Sequence, residues 1–309
     1  MTVDPKRLLR ACEQVLERIE SNTAYERTSG LLVEVGGQVR FAIDRRGPAV
    51  ADVFEVTTAV TATLVGIALA DGHLADLDQP ARPSPHTWRQ LLTMTRGCET
   101  TGDWDPVAVM AWPGDWVAHW CAAPQVTAPG KKFRYDDGGY HLLAAALVEA
   151  TGRALPEYAA ERLFRPLGID NWAWTTDPSG LPLGFGHLLL DRPALAALGR
   201  LWLDQGEVSG KALLPLKFAR AMTTAHTPGG APEWKGYGFG VWVDGTGFYA
   251  SGWAGQHLLV LPAADAVIVT TGDAAYDPGP PPTDEMPVGW RPAVKLVREV
   301  LVPVLVKQS

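Results

Sequence analysis

The central apolar segment of the chain reads Phe54-Glu55-Val56-Thr57-Thr58-Ala59-Val60-Thr61-Ala62-Thr63-Leu64-Val65-Gly66. Its pattern predicts a helix over Val56–Ala70. No lysine stands three residues after a serine or threonine anywhere between Phe54 and Gly72. This absence matters because residues at i and i+3 share one helix face, where a lysine amine can take the proton of a nucleophilic hydroxyl. Glu55 and Thr58, which have that spacing, cannot perform this step.

The composition is that of an ordinary globular protein. The 309 residues are 47% hydrophobic and 20% charged, and the formal net charge is -7. Lysine and arginine never form a run longer than two residues, so we expect no nucleic-acid partner. No apolar run approaches the length of a membrane span, so we expect no membrane partner either.

The N-terminus, residues 1–20, has the pattern of a charged amphipathic helix rather than that of a signal peptide. Its apolar stripe comprises Leu8, Leu9, Cys12, Val15, Leu16 and Ile19. The three cysteines, Cys12, Cys98 and Cys121, lack the spacing of metal ligands and are typical of buried thiols in a reducing compartment. We therefore expect a cytoplasmic protein.

Strand patterns lie at both ends of the chain, and helix patterns lie between them. Residues 30–44 alternate apolar and polar side chains around Gly36-Gly37, which predicts a hairpin. Further strand patterns lie at 236–243, 247–251, 257–261 and 266–271, and helix patterns at 56–70, 88–93, 141–151, 155–163 and 192–204. We expect one structural unit with a cleft between a split sheet subdomain, residues 1–53 and 226–309, and a mainly helical subdomain, residues 54–225.

The chain resembles the serine β-lactamase and penicillin-binding-protein-like superfamily, in particular the branch of class C β-lactamases, family VIII esterases and 6-aminohexanoate-dimer hydrolases. The central segment is similar to the family's S-V-T-K-S-V-T-A-T-L-V-G helix at most positions except the reactive ones. Further similar segments, in the same order, are 91–95, 129–135, 140–145, 163–169, 237–242 and 252–256. The resemblance implies an α+β fold, in which an antiparallel sheet is flanked by terminal helices and carries an inserted all-helical subdomain.

Two alignments of the central segment with this family compete. Without a gap, Glu55 takes the place of the nucleophilic serine and Thr58 that of the lysine base. A looser alignment places Thr58 at the serine and Thr61 at the lysine, but it deletes three residues inside the helix, so we favour the gapless alignment. In both alignments the Ser-x-x-Lys pair is lost.

Two further family motifs are present in altered form. The segment Phe133-Arg134-Tyr135-Asp136-Asp137-Gly138-Gly139-Tyr140 resembles the Y-S-N or Y-A-N loop. This places Tyr135 at the tyrosine that shuttles a proton and Asp137 where an asparagine contacts substrate. Ala250-Ser251-Gly252 stands where the family has K-T-G or H-T-G, so the basic residue of that strand is replaced. In the family a following backbone N–H completes the oxyanion hole, and here Trp253 follows.

Glu55, Tyr135 and Asp137 are the candidate catalytic residues. The helix dipole favours the ionised form of Glu55, whereas burial in the cleft disfavours it. If Asp137 faces the same pocket, the two carboxylates share a proton, so one acts as an acid and the other as a base. Tyr135 would then donate to a developing oxyanion. The alternative is that Glu55 only caps its helix and that Asp137 faces water.

The candidate substrate-binding residues are Thr58, Trp112, Trp116, His187, Ser251 and Trp253. Trp112, Trp116 and Trp120 recur every four residues and would share a helix face, which is typical of core packing but in a cleft would suit a flat, apolar ligand. Arg96 would either pair with Glu99 or reach a substrate carboxylate. The histidines form no metal-binding cluster, and we expect neither a metal nor a cofactor.

Three functional hypotheses follow. The first is an enzyme that has exchanged acyl-serine chemistry for non-covalent acid/base catalysis, such as isomerisation, cyclisation or elimination, on a small and largely apolar molecule of specialised metabolism. The second is a catalytically silent protein that keeps the cleft for a ligand or partner. The third is a residual esterase or amidase with Thr58 or Ser251 as nucleophile, which ranks last because neither has a base visible in the sequence.

Overall fold

The computed structural model describes residues 3–275 and 289–306. Its strands are β1 (Thr28–Val35), β2 (Gln38–Asp44), β3 (Ala51–Asp52), β4 (Ala173–Trp174), β5 (Leu188–Leu190), β6 (Glu207–Val208), β7 (Lys211–Ala212), β8 (Gly236–Tyr237), β9 (Trp242–Val243), β10 (Phe248–Gly252), β11 (Gln256–Leu261) and β12 (Ala266–Gly272). Its α-helices are α1 (Pro5–Glu20), α2 (Val56–Ala70), α3 (Trp88–Leu92), α4 (Pro106–Met110), α5 (Trp116–Cys121), α6 (Asp137–Thr151), α7 (Leu155–Ala159), α8 (Arg192–Leu203), α9 (Leu216–Met222), α10 (Val294–Leu296) and α11 (Val302–Leu305). Wider π-helical turns continue α7 over Ala160–Phe164 and join α10 to α11 over Val297–Leu301.

The predicted α+β architecture is observed, with a seven-stranded antiparallel sheet in the order β2-β1-β12-β11-β10-β9-β8. The predicted hairpin turns at Gly36 and Gly37, whose φ angles of 63° and 70° are those of a type I′ turn. β1 then pairs with β12, with Leu32 opposite Val269, so strands from the two ends of the chain meet in one sheet. β11 and β12 are buried along their whole length, which means that both faces of the sheet are covered.

The single strand predicted over 236–243 is wrong. The segment forms the two short strands β8 and β9, with Tyr237 opposite Trp242. The turn between them contains Gly240, whose φ of 72° is unfavourable for other residues. A side chain there would lie 2.7 Å from the backbone oxygen of Thr58, so the close approach of the turn to α2 requires glycine and interrupts the strand.

Helix α2 has the predicted bounds and passes through the core. Every residue from Val56 to Ala68 is buried, and the helix packs against α6, α9, β10 and β11. Its polar side chains are satisfied internally: Thr63 donates to the carbonyl of Ala59 and accepts a hydrogen bond from the indole N–H of Trp202 at 2.9 Å. A helix held on all sides fixes the position of its first turn, which borders the cavity described below.

The terminal helices pack together, and α8 packs on the sheet. α1 contacts β2 and the C-terminal helical segment, where Arg18 pairs with Glu299 at 2.6 Å. α8 packs against β1, β11 and β12, and Gly199 allows this close approach because a side chain there would meet Val267 and Leu258. The division into residues 1–53 with 226–309 and residues 54–225 stays a prediction, and α8 joins the sheet layer although it lies in the second range.

Candidate active site

A cavity of about 750 Å³ opens where β9 and the end of β10 face Glu55, which precedes α2, and the first residues of α6. Its aromatic walls include Trp104, Phe185, Trp242, Trp253 and Trp290, and its polar groups include five carboxyl groups and two imidazoles. The volume and the mainly apolar walls are those of a site for a small organic molecule. The cavity lining includes the predicted residues Glu55, Tyr135, Asp137, His187, Ser251 and Trp253.

Glu55 lies at the N-terminus of α2 but does not cap it, because its side chain makes no hydrogen bond to the helix. Its Oε2 instead accepts a hydrogen bond from the backbone N–H of Trp253, with an N···O distance of 2.7 Å. The end of β10 can come this close because Gly252 has no side chain. A Cβ at position 252 would lie 2.4 Å from the carbonyl oxygen of Val53.

The electrostatic environment of Glu55 combines opposing effects. Burial raises the pKa of the Glu55 carboxyl above its usual value. The backbone N–H groups of Trp253 and of Glu55 itself act in the opposite direction, as does the nearby His187. The net effect is a raised pKa, so this carboxyl group is better suited to exchange protons near neutral pH than an exposed glutamate.

His187 lies beside Glu55 and is held by Asp52. The ring Nδ1 is 2.6 Å from Asp52 Oδ2, and this hydrogen bond raises the pKa of His187. Asp52 also accepts from the N–H of Phe54, which fixes the carboxylate, and the ring of Phe54 contacts His187 edge-on at 5.5 Å. Asp52 therefore orients the imidazole and favours its protonated form.

Tyr135 and Asp137 lie at the start of α6, with Tyr135 in the preceding loop and Asp137 as the first helical residue. The Tyr135 ring is parallel to that of Trp242, with centroids 6.2 Å apart. Burial raises the pKa of Tyr135 well above its usual value, and the charges of Asp137 and Glu55 raise it further. Tyr135 thus stays a protonated hydrogen-bond donor at any physiological pH.

Three of the predicted substrate-binding residues do not line this cavity. Thr58 is buried, donates to the carbonyl of Glu55 at 2.8 Å and lies 3.3 Å from that of Gly240, so its hydroxyl is used inside the fold. Trp116 is buried and donates through its indole N–H to the carbonyl of Trp112. Among the described residues, the cavity walls include none of Thr58, Trp112 and Trp116.

The predicted tryptophan face is interrupted because α5 begins only at Trp116. Trp112 precedes Pro113-Gly114, is 45% exposed and stands beside His119 with centroids 5.2 Å apart. Trp116 and Trp120 do share a face of α5, where their rings meet edge-on at 6.0 Å in the core. Core packing therefore explains the spacing of Trp116 and Trp120. Trp104, from another segment, lines the cavity.

Arg96 takes neither of the predicted roles. It is 1% exposed and forms a two-pronged ion pair with Asp136, at 2.5 and 2.9 Å. Asp136 in turn accepts from the N–H of Gly139 and so caps α6. Glu99 pairs with Arg134 instead. Arg96 therefore positions the start of α6, and with it Asp137 and the preceding loop that carries Tyr135.

A second polar cluster in the cavity was missed in the sequence. Ser251 Oγ donates to Glu233 Oε1 at 2.8 Å and lies 3.2 Å from His257 Nε2. The register of β10 and β11 pairs Ser251 with His257, and this signal was available once the hairpin was predicted. Glu233 lies in a loop without a sequence pattern. The structure thus places a carboxylate and an imidazole beside Ser251, for which the sequence showed no base.

The chain belongs to the β-lactamase family, whose sequence signature, described as Beta-lactamase, matches residues 49–286, more than half of the chain. No curated protein matches the chain. None of the helices in the described ranges combines the length and the apolar character that crossing a membrane requires.

Solved structures with similar folds include hydrolases. A candidate 6-aminohexanoate-dimer hydrolase from Bacillus anthracis is 21% identical, with a TM-score of 0.74 and coverage of 94% of this chain and 81% of that chain. EstCE1, a hydrolase with promiscuous acyltransferase activity, is 15% identical, with a TM-score of 0.73 and coverage of 96% and 99%. SurE, solved with D-Leu, is 25% identical, with a TM-score of 0.67 and coverage of 85% and 71%. These similarities establish the fold.

Proposed function

We propose that this member of the β-lactamase family is an enzyme that uses Glu55 for non-covalent acid/base catalysis on a small, largely apolar molecule. The reaction class is a proton transfer at carbon or oxygen, as in isomerisation, cyclisation or elimination. The observation that carries this proposal is the 2.7 Å hydrogen bond from the Trp253 N–H to Glu55 Oε2. The resemblance to the family implies that this N–H would otherwise polarise a substrate carbonyl, and Glu55 engages it instead.

The same hydrogen bond argues against acyl transfer to α2. The helix contains neither serine nor lysine, and in the proposed alignment Glu55 and Thr58 take the places of those two residues. Acyl transfer requires an activated hydroxyl, and a free oxyanion donor next to it accelerates the reaction. Here the donor is engaged by Glu55, and the Thr58 hydroxyl is engaged by the carbonyl of Glu55.

The two oxygens of Glu55 have different roles in this proposal. Oε2 accepts the Trp253 N–H, so the exchangeable proton is carried by Oε1. Glu55 removes a proton from the substrate through Oε1, and Tyr135 donates a hydrogen bond to the oxygen on which negative charge develops. His187, held by Asp52, stabilises the ionised form of the Glu55 carboxylate whenever Glu55 has released the proton that it took from the substrate.

The cavity walls support an apolar substrate. Val107 and Met110 of α4 lie at the mouth, where they are 60% and 38% exposed, and tryptophan rings line the interior. Exposed apolar side chains at a cavity mouth are typical of ligand-binding clefts. A flat or polycyclic molecule would bury these surfaces against Trp242 and Trp253.

A general-base probe tests this proposal without the natural substrate. 5-Nitrobenzisoxazole is a flat molecule that a carboxylate opens by removing its ring C–H proton, and the product is a coloured phenolate. We expect Glu55→Gln to lower the rate per enzyme at least about a hundredfold, the usual effect of removing a positioned base. Tyr135→Phe should lower it about tenfold, because one donor to the phenolate is lost.

The matched control is Glu207→Gln, the same change at an exposed position of β6. It should leave the rate unchanged. The wild-type rate should also fall as the pH drops through the raised pKa of Glu55, because only the ionised carboxylate acts as a base. An unchanged rate in Glu55→Gln would exclude Glu55 as the base and favour a binding protein with an inherited cleft.

A further inference from the structure

Ser251 is the centre of a hydrogen-bonded cluster that lies outside the Glu55 site but on the same cavity. Its hydroxyl lies between Glu233 Oε1, at 2.8 Å, and His257 Nε2, at 3.2 Å. Tyr249 donates to the other oxygen of Glu233 at 3.0 Å. Ser251, Glu233 and His257 all line the cavity, so the hydroxyl is accessible to a bound molecule.

The contacts determine where the protons of this cluster lie. A serine hydroxyl has one proton, and here it is donated to Glu233. The contact with His257 must therefore run from the ring Nε2–H to the serine oxygen. His257 is 7% exposed, and burial lowers its pKa, which favours the neutral ring. Glu233 is the proton acceptor, and His257 orients the hydroxyl.

We propose that Ser251 is a nucleophile for acyl transfer from small activated esters, with Glu233 as its general base. Ser251 Oγ bonds to the ester carbonyl carbon while its proton passes to Glu233 Oε1. The bond to the leaving alcohol then breaks, and Glu233 returns the proton to that oxygen. Water attacks the acyl group in the same way, so the products are an alcohol and a carboxylic acid and Ser251 is regenerated.

This activity goes beyond the proposed function because it does not use Glu55. Glu55 in fact opposes it. The N–H of Trp253, two residues after Ser251, is a donor that could stabilise the oxyanion of the acylation step, but Glu55 Oε2 occupies it. Removal of one such donor costs about 10²–10³ in rate. We therefore expect slow turnover in the wild type, and an increase of about tenfold or more in Glu55→Ala, which frees the N–H.

The experiment combines labelling with turnover. The wild-type protein is incubated with a fluorophosphonate, and the adduct is located by peptide mass spectrometry, while hydrolysis of 4-nitrophenyl acetate is followed in parallel. We expect one adduct per chain, on Ser251. Ser251→Ala should abolish the adduct and lower the rate of ester hydrolysis to that of free imidazole at the same concentration. Glu233→Gln should slow both labelling and hydrolysis at least about a hundredfold.

The chain offers a matched control in Ser84, whose hydroxyl lies 3.4 Å from His86 Nδ1 but is buried and not part of the described cavity lining. Ser84→Ala should label and hydrolyse like the wild type, and melting temperatures should show that all variants are folded.

An adduct on another residue, no adduct at all, or full hydrolysis in folded Ser251→Ala would overturn the assignment. Since the base test depends on Glu55 and this test on Ser251, either proposal can fail alone.

Discussion

The substitution Glu55→Gln should stabilise the protein, and the size of the effect should depend on pH. Glutamine keeps the shape of glutamate, and its carbonyl oxygen can accept the Trp253 N–H as Glu55 Oε2 does at 2.7 Å. What it removes is the cost of ionising a carboxyl group in a desolvated place, which is the reason for the raised pKa of Glu55.

The sign follows from proton linkage. A carboxyl group with a raised pKa binds its proton more tightly in the folded state than in the unfolded state. The folded wild type therefore loses stability as the pH rises from the ordinary glutamate pKa, 4.5, through the raised value, and it stays less stable above that value. Glutamine does not titrate. The advantage of Glu55→Gln should be absent near pH 4 and fully developed above the raised pKa.

Melting temperatures from pH 4 to 8 measure this effect. Each pH unit by which a pKa is raised corresponds to about 1.4 kcal/mol, and 1 kcal/mol moves the melting temperature of a large domain by about 2 °C. At pH 8 we therefore expect Glu55→Gln to melt at a higher temperature than the wild type, by about 3 °C for each pH unit by which the pKa of Glu55 is raised. Glu207→Gln, on the exposed strand β6, should show no such trend. An equal shift at every pH, or a lower melting temperature at pH 8, would refute the argument that the Glu55 charge is desolvated.

Two further predictions concern the helix that carries the site and the loop opposite it. Glu55→Ser combined with Thr58→Lys, in a Ser251→Ala background, should produce hydrolysis of 4-nitrophenyl acetate, whereas either helix change alone should not, because the serine and its base act as a pair. Arg96→Leu should reduce the free energy of unfolding by about 3–5 kcal/mol in urea denaturation, because it leaves Asp136 charged and buried without its partner.

Most of the fold could be predicted because it depends on local patterns. The apolar run that begins at Val56 specifies α2 to the residue, and Gly36-Gly37 specifies the first hairpin, since only glycine adopts two successive positive φ angles without strain. The wrong strand over 236–243 shows where such patterns fail. Its break at Gly240 is caused by contact with α2, which is almost two hundred residues earlier in the sequence.

The catalytic candidates were predictable because they occupy positions that match family motifs. Glu55, Tyr135 and Asp137 come from segments that resemble family motifs, and all three line the cavity. The four-residue spacing of Trp112 and Trp116 predicts one continuous helix, but Pro113-Gly114 separates them, and neither residue lines the cavity. A periodic pattern does not reveal whether the helix continues across it.

The sequence by itself determined the α+β architecture, the central helix and the absence of a Ser-x-x-Lys pair, because these depend on residue identity and short-range periodicity. Only the tertiary structure decided which groups meet. Glu55 and the N–H of Trp253 are 198 residues apart, and His187 and Asp52 are 135 apart. Such contacts arise from the packing of loops and helix ends against one another, and no local pattern encodes the partner. The chemistry of the cavity therefore depends on the fold as much as on the residues.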